Sequence, residues 1–304
     1  MDGVPWQAKQ QLGVFTVAQA LEAGWSRSTL TRYERRGHLV RLRAGAYLEV
    51  TELPDGQNHG QALLARLGVA AALRIPAATV SHASAIAAHD LPLLTVPDRP
   101  CITLQPPLRT RPWKLHLHRQ PIPADQFDDN YGFRLTSVAR SCLDHTREFG
   151  LADGMAAADA AVHRGLCTPA DFEAVYRSSC RGRAGLGSGR KVLQLLDGRS
   201  ESPLESLSRL SMQGLPPPQT QITIRSVAGT FIARVDFYWE DLGVVGEADG
   251  RTKYSDDALW EEKQRQDALT DRGLVVERWG WSDARNPARL RDRLNHAFDR
   301  ARRL

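Results

Sequence analysis

The alternation of apolar and polar positions changes period several times along this 304-residue chain. Residues 10–50 read as helix, tight turn, helix and hairpin. Thr16-Val-Ala-Gln19 has the Ser/Thr-x-x-Gln spacing in which cap and third residue exchange hydrogen bonds. The helix it opens runs to Ala23, and Gly24 supplies the turn. Ser26 can cap a second helix, Arg27 to Arg36, which Gly37 ends. Leu39-Val-Arg-Leu42 and Ala46-Tyr-Leu-Glu-Val50 then alternate as two short strands around Arg43-Ala-Gly45. Two short helices followed by a hairpin is the layout of a winged helix-turn-helix.

After a link at Leu53-Pro-Asp-Gly56 the pattern alternates between helix and strand. Helical spacing covers Gln61–Leu73 and Ser81–His89; strand spacing covers Cys101–Gln105 and Trp113–His118. Further helices are predicted over Thr136–Arg147, Leu151–Arg164 and Thr168–Ser178. The last opens on Thr168-Pro-Ala-Asp171, with proline in the first turn. Arg181 to Arg190 is glycine-rich and basic but lacks the Gly-Lys-Ser/Thr of a Walker loop. It reads as a flexible connection to a short helix, Lys191–Leu196. Beyond it come a helix start at Ser202-Pro-Leu-Glu205, strands over Gln221–Ser226, Ile232–Trp239 and Val244–Asp249, and a helix over Ser255–Arg272. The pattern is that of a multi-domain α/β protein: a winged helix at 1–52, an α/β middle domain at 57–180, the basic connection and short helix at 181–199, and a last domain at 200–304.

Charge sharpens the reading of the first segment. The net charge of +5 is modest, but Arg27, Arg32, Arg35, Arg36, Arg41 and Arg43 gather in the second helix and the wing against one acid, Glu34. Arg32, Arg35 and Arg36 share a helical face at i, i+3, i+4 spacing. Arginines without local acids point to a polyanion, most simply double-stranded DNA. No run of about 18 apolar residues suggests a membrane span, and the N-terminus lacks the basic-then-apolar order of a signal peptide. Cys101, Cys142, Cys167 and Cys180 show no CxxC spacing, which argues against a disulfide framework or structural zinc and for a reducing cytoplasm. Cys101 and Cys142 read as small buried apolar groups. Among His82, His89, His116 and His118, the last two lie two apart on one strand face. With no carboxylate or cysteine at ligand spacing along the chain, they read as structural.

The last domain carries the candidate chemistry. Asp236 and Glu247 are equidistant from the turn at Glu240-Asp-Leu-Gly243, so a regular hairpin sets them opposite each other, Cβ atoms roughly 5 Å apart. Asp249, two residues on, shares the face of Glu247. Acids this close raise each other's pKa unless a cation intervenes, and hard divalent ions such as Mg²⁺ or Mn²⁺ take oxygen ligands of this kind. Glu205 has a plainer role open to it, as the returning half of a capping box on Ser202; Glu201 is an exposed neighbour with no evident task.

A helix with a glutamate, a hairpin with Asp and Glu-x-Asp-Gly, then a helix and another strand resembles the PD-(D/E)xK nuclease superfamily. Ser202-Pro-Leu-Glu-Ser-Leu-Ser-Arg209, Val235-Asp-Phe237 and Gly246-Glu-Ala-Asp-Gly250 resemble in particular an actinobacterial group of nuclease-like domains related to very-short-patch-repair endonucleases. The resemblance spans about a hundred residues. It implies a restriction-endonuclease-like mixed sheet flanked by helices, with Asp236, Glu247, Asp249 and Glu205 as ligands of Mg²⁺ or Mn²⁺ and as catalytic residues. The superfamily's Asp/Glu-x-Lys is here Glu247-Ala-Asp249, so the missing cation would come from Lys253 or from the next helix, which carries Lys263 and Arg265. Lys263 is expected to serve better than Lys253, because a helix positions a group better than a loop. Separately, Gly13-Val-Phe-Thr16, Arg43-Ala-Gly-Ala-Tyr47, Val80-Ser-His-Ala-Ser-Ala85, Thr136-Ser-Val-Ala-Arg140 and Leu143-Asp144 resemble the AbiEi antitoxins of type IV toxin–antitoxin systems, which implies DNA binding through the winged helix. The expected function is a metal-dependent DNA endonuclease carrying its own DNA-binding domain. The alternative is a DNA-binding regulator or antitoxin whose nuclease fold no longer cuts. A homodimer and a toxin partner are compatible with either.

Overall fold

The computed structural model describes residues 3–105, 114–180, 186–226, 228–250 and 256–304. The chain folds as two compact units, Met1–Leu196 and Asp197–Leu304. Each mixes helices with sheet, so the protein is a multi-domain α/β protein. Among the described residues no helix is long and apolar enough to cross a membrane.

The first unit opens with β1 (Phe15–Thr16), α1 (Val17–Glu22), α2 (Arg27–Arg35), β2 (Leu39–Arg43) and β3 (Ala46–Glu49). Both local signals act as the chemistry requires. Thr16 and Gln19 exchange hydrogen bonds as a capping box, and the Ser26 hydroxyl accepts from Thr29 N–H. The three strands form one sheet in the order β1-β3-β2. Phe15, Trp25, Leu30 and Tyr47 fill the space beneath α2, with Tyr33 against Trp25. The sheet also shares a core with the elements C-terminal to it: Val14, Ala46 and Leu48 lie in one buried cluster with Leu64, Val69, Val80 and Ile102.

α3 (His59–Arg74), β4 (Ala78–Val80), α4 (His82–Ala88), β5 (Cys101–Leu104), β6 (His116–His118), β7 (Phe127–Asp128), β8 (Leu135–Thr136), α5 (Val138–Phe149), α6 (Leu151–His163), α7 (Pro169–Val175) and α8 (Leu186–Leu195) complete the unit. Their sheet runs β6-β5-β4-β8-β7 and mixes parallel and antiparallel pairs. Trp113, expected to begin β6, lies outside the described residues, as do 181–185 of the glycine-rich stretch. The rest of that stretch departs from the expected flexible link, because α8 starts at Leu186 and contains Gly187 and Gly189. A Cβ on Gly189 would lie 3.2 Å from the Tyr176 ring, so close helix packing there overrides glycine's weak helix propensity.

The second unit is α9 (Pro203–Ser211), β9 (Gln219–Arg225), β10 (Phe231–Trp239), β11 (Val244–Ala248), α10 (Asp256–Asp271), β12 (Val275–Trp279), α11 (Trp281–Ala284) and α12 (Pro287–Ala301). The order is thus helix, three strands, helix, strand. The sheet runs β12-β11-β10-β9; β9, β10 and β11 are antiparallel neighbours, and β12 runs parallel to β11 after the α10 crossover. Trp239 meets Phe298 of α12 edge to face, and the Trp279 indole donates to Ser208 of α9. Leu269 of α10 is buried with Val235, Val245 and Ile224.

Gly246 is where two of these tryptophans approach the backbone: a Cβ there would sit 2.5 Å from Trp279 Cη2 and 3.0 Å from Trp239 Cζ3. Gly246→Ala should therefore destabilise this unit by about 1–3 kcal/mol, the usual cost of overpacking a tight core. A thermal melt of the full chain checks it; an unchanged melting temperature would mean the rings move aside at no cost.

Candidate nucleic-acid interface and carboxylate site

The helix-turn-helix carries the basic surface anticipated from its sequence. Leu30 is the buried anchor of α2, whereas Arg27, Arg32, Arg35, Arg36 and Arg41 are exposed and Arg43 is half-buried. Arg32 lies over the Tyr33 ring, 5.4 Å from its centroid. Among the described residues none of these six arginines pairs with a carboxylate, in contrast to Arg140 or Arg293 elsewhere in the chain. Arg27, Arg32, Arg35 and Arg36 are exposed charges on or at the end of a helix locked from behind by aromatic packing, and Arg41 and Arg43 lie in the wing.

In the second unit the hairpin register is the one the turn dictates. Phe237 faces Gly246 and Tyr238 faces Val245, so the next pair outward is Asp236 and Glu247. The chain reverses through a 3-10 turn, Glu240–Leu242, and Gly243 at φ +62°. Asp236 Oδ2 accepts from Ala248 N–H at 2.9 Å. Glu205 joins from the first turn of α9. The Ser202 hydroxyl accepts from Glu205 N–H at 3.2 Å, as expected of a cap. The Glu205 carboxylate closes no box on Ser202, however. It accepts from Glu201 N–H at 3.0 Å and from Gln221 Nε2 at 2.8 Å. Glu201, given no task by the sequence, pairs with Arg234 at 2.5 Å.

Gln221 is a site residue that sequence reasoning missed. Its amide donates to Glu205 and, at 3.1 Å, to Asp236 Oδ1, so it ties the two carboxylates together. It sits in β9 with φ +56°, a left-handed conformation that costs a non-glycine residue on the order of 1–3 kcal/mol and tends to persist at functional sites. No local signal announces it.

The cations also differ from expectation. Lys253 lies outside the described residues. Lys263 is exposed, and it is Arg265 that reaches the cluster, with Nη2 2.5 Å from Glu247 Oε2. Residues two apart on a helix point to nearly opposite sides. The face of α10 that buries Leu269 also carries Arg265, four residues earlier, and turns Lys263 away. Arg278 is a cation that the sequence reading did not name: it is the partner of Glu247 in the parallel β11–β12 ladder. Asp249 lies just past β11, its N–H donating to Trp279 O, and lines a cleft with Arg278, Trp281 and Asp283. The structure thus brings Glu205, Asp236 and Glu247 together and sets Asp249 at the strand end beside them.

Burial, with the neighbouring Glu205 and Glu247 carboxylates, pushes the Asp236 carboxyl up to about 6, against the bonds from Ala248 and Gln221. Glu247 Oε1 is buried with no hydrogen-bond partner. An all-oxygen donor set with an orphaned buried oxygen fits a hard divalent ion. No three of these carboxylates bring oxygens within 4.8 Å of one another, however. Among the described residues that spacing is met by Cys101, His116 and His118. The expectation that no cysteine accompanies this histidine pair is thereby corrected, because β5 and β6 pair in parallel and set Cys101 beside His116.

Residues 7–50, which hold the winged helix, match the family described as "Transcriptional regulator, AbiEi antitoxin". Over 203 residues, 66% of this chain, it is 30% identical to two proteins of Mycobacterium tuberculosis, "Uncharacterized protein MT2308" of strain CDC 1551 / Oshkosh and "Uncharacterized protein Rv2248" of strain H37Rv, and spans 74% of each. The chain belongs to the family of these two mycobacterial proteins. The crystal structure of the RV2827C protein from Mycobacterium tuberculosis aligns with 74% of this chain and 90% of its own length at a TM-score of 0.34 and 16% identity, too loose a likeness to bear on the fold. In this member of the family, the antitoxin-regulator match falls on the segment that presents the six arginines.

The raised Asp236 has a measurable consequence. A carboxyl whose folded value lies above its ordinary 3.8 stabilises the fold most when both states are protonated, and that stabilisation is lost as pH rises from about 4 through about 6. Asp236→Asn should therefore raise stability at pH 8 by on the order of 1 kcal/mol in buffer free of divalent ions, and most of that gain should be lost by pH 4.5. Thermal melts at the two pH values decide; a variant less stable than the native protein at pH 8 would mean that the Asp236 charge is well compensated.

Proposed function

We propose that this protein binds duplex DNA through its winged helix and cuts it with a metal-dependent nuclease site in its second unit. The observation that carries the reading is the convergence of Glu205, Asp236 and Glu247 beside one hairpin, with the Asp236 carboxyl pushed up to about 6 by burial and the neighbouring acids. Stability alone gives no reason to crowd three acids there. The helix, three-strand, helix, strand order of this unit supports the nuclease likeness, and the antitoxin-regulator match of residues 7–50 supports DNA as the partner.

Asp236 and Glu247 would hold a Mg²⁺ or Mn²⁺ ion, with Glu205 and Asp249 at hand. Such an ion, when bound, supplies an activated water and neutralises charge on the scissile phosphate. As a ligand Asp236 would act as the carboxylate, its proton passing to solvent. Gln221 keeps Glu205 and Asp236 oriented. Arg265 and Arg278, beside Glu247, offer the positive charge that the motif lysine provides elsewhere, toward negative charge developing at the phosphate. Exposed arginines of α2 and the wing hold the duplex by its backbone.

A second reading has its own observation. With Arg265 already on Glu247 and an aspartate at the motif-lysine position, the fold could serve a regulator or antitoxin that does not cut. Plasmid cleavage with Mg²⁺ and with Mn²⁺ separates the two. The nuclease reading expects cleavage by the native protein, reduced to background in Asp236→Ala. No cleavage of DNA or RNA with any divalent ion, together with intact DNA binding, establishes the regulator.

Two further outcomes are expected. Arg265→Met should reduce cleavage more than Lys263→Met, because only Arg265 reaches the carboxylates; the reverse ranking would move the role to Lys263. The double variant Arg32→Ala, Arg36→Ala should weaken binding to all DNA sequences and make the log–log salt dependence shallower by roughly 2, about 0.9 for each phosphate no longer neutralised. An unchanged slope would place the DNA on another surface.

A further inference from the structure

In the first unit, far along the chain from the carboxylates, a cluster of nitrogen and sulfur donors has no part in the reading above. β5 and β6 run in parallel with Cys101 beside His116 and Thr103 beside His118. One donor atom each from Cys101, His116 and His118 lie within 4.8 Å of one another. The His118 ring also lies between two others, its centroid 3.4 Å from His82 and 4.6 Å from His116. His118 Nε2 is buried and has no hydrogen-bond partner. On the far side, His116 Nε2 lies 3.0 Å from Glu148 Oε1 of α5.

A purely structural role explains this poorly. Buried imidazoles normally satisfy both ring nitrogens, and an orphaned one is costly. A reactive-thiol role fits no better, since Cys101 is fully buried and its thiol is pushed up rather than down.

We propose that Cys101, His116 and His118 form a binding site for a zinc-type transition-metal ion, with Glu148 as the carboxylate that orients His116. Thiolate and imidazole donors select borderline ions such as Zn²⁺ over Mg²⁺ or Ca²⁺. A Glu148 carboxylate accepting from His116 Nε2–H leaves Nδ1 as the lone pair for the ion, the outer-shell device common to histidine ligands. Side chains of His116 and Glu148 are each more than a third exposed, and a surface cleft lined by Asp98, Arg99, Leu115, His116 and Arg119 gives solvent access. The fourth position is open to water from that side. The ion would clamp β5 to β6, and through Glu148 to α5. Binding releases the Cys101 proton to solvent and changes no oxidation state.

The full chain, stripped of metal, would be titrated with Co²⁺. The expected result is one equivalent bound with a thiolate-to-cobalt charge-transfer band in the near ultraviolet, bleached by Zn²⁺. Carboxylate sites cannot produce that band. Cys101→Ser should abolish it; His116→Gln should weaken Co²⁺ at least tenfold and Glu148→Gln by about 10–100-fold. His38→Gln, on the exposed turn after α2, should change nothing. If Cys101→Ser fails to fold by circular dichroism, the two half-exposed variants decide the matter. Absence of the band in the native protein, or its survival in Cys101→Ser or at full affinity in both other variants, overturns the proposal.

Discussion

The second unit depends on one geometric constraint, the antiparallel register set by the short turn between β10 and β11. Once Gly243 takes its left-handed conformation, Trp239 must face Val244, and each pair outward is fixed in turn. Further out, at Asp236 and Glu247, two acids meet on one face, while on the other Gly246 lies under the rings of Trp239 and Trp279. A slip of one residue would turn Asp236 or Glu247 to the opposite side and drive a side chain into the tryptophans. The same packing that makes the core tight therefore holds the carboxylates together against their repulsion.

That repulsion is compensated locally and incompletely. Arg265 reaches Glu247, Gln221 bridges Glu205 and Asp236 from a strained backbone, and the Ala248 N–H binds Asp236. Burial first, and the two neighbouring acids after it, leave the Asp236 carboxyl raised to about 6, and a buried Glu247 oxygen has no hydrogen-bond partner. Strain and shifted acidity of this kind gather at functional sites.

In the first unit burial works in the opposite sense. Arg140 is fully buried yet donates to Asp144 and Gln126 at 2.6 Å, and Asp144 takes further bonds from Gln120 and Arg147. This network ties α5 to the segments around it. The winged helix shares its core with α3 and β4, which keeps α2 from moving as a free arm. A basic helix held rigidly presents its exposed arginines as a preformed surface, which lowers the entropy lost on binding any polyanion.

By itself the sequence determined whatever acts over a few residues. The caps at Thr16, Ser26 and Ser202, the acid-poor arginine helix, the strand periods and the turn between β10 and β11 all rest on neighbours in the chain, and from that turn the meeting of Asp236 and Glu247 could be counted out. Tertiary structure alone decided the rest. Gln221 enters the site because β9 lies beside β10, and its backbone strain leaves no mark in composition. Arg265 rather than Lys263 faces the sheet because the rotation of α10 is set by where Leu269 is buried. Cys101 meets two histidines because β5 and β6 pair in parallel and bring together residues fifteen or more apart, a distance over which no local period carries information. Side-chain alternation says which residues share a face; only the pairing of strands and the seating of helices says which faces meet.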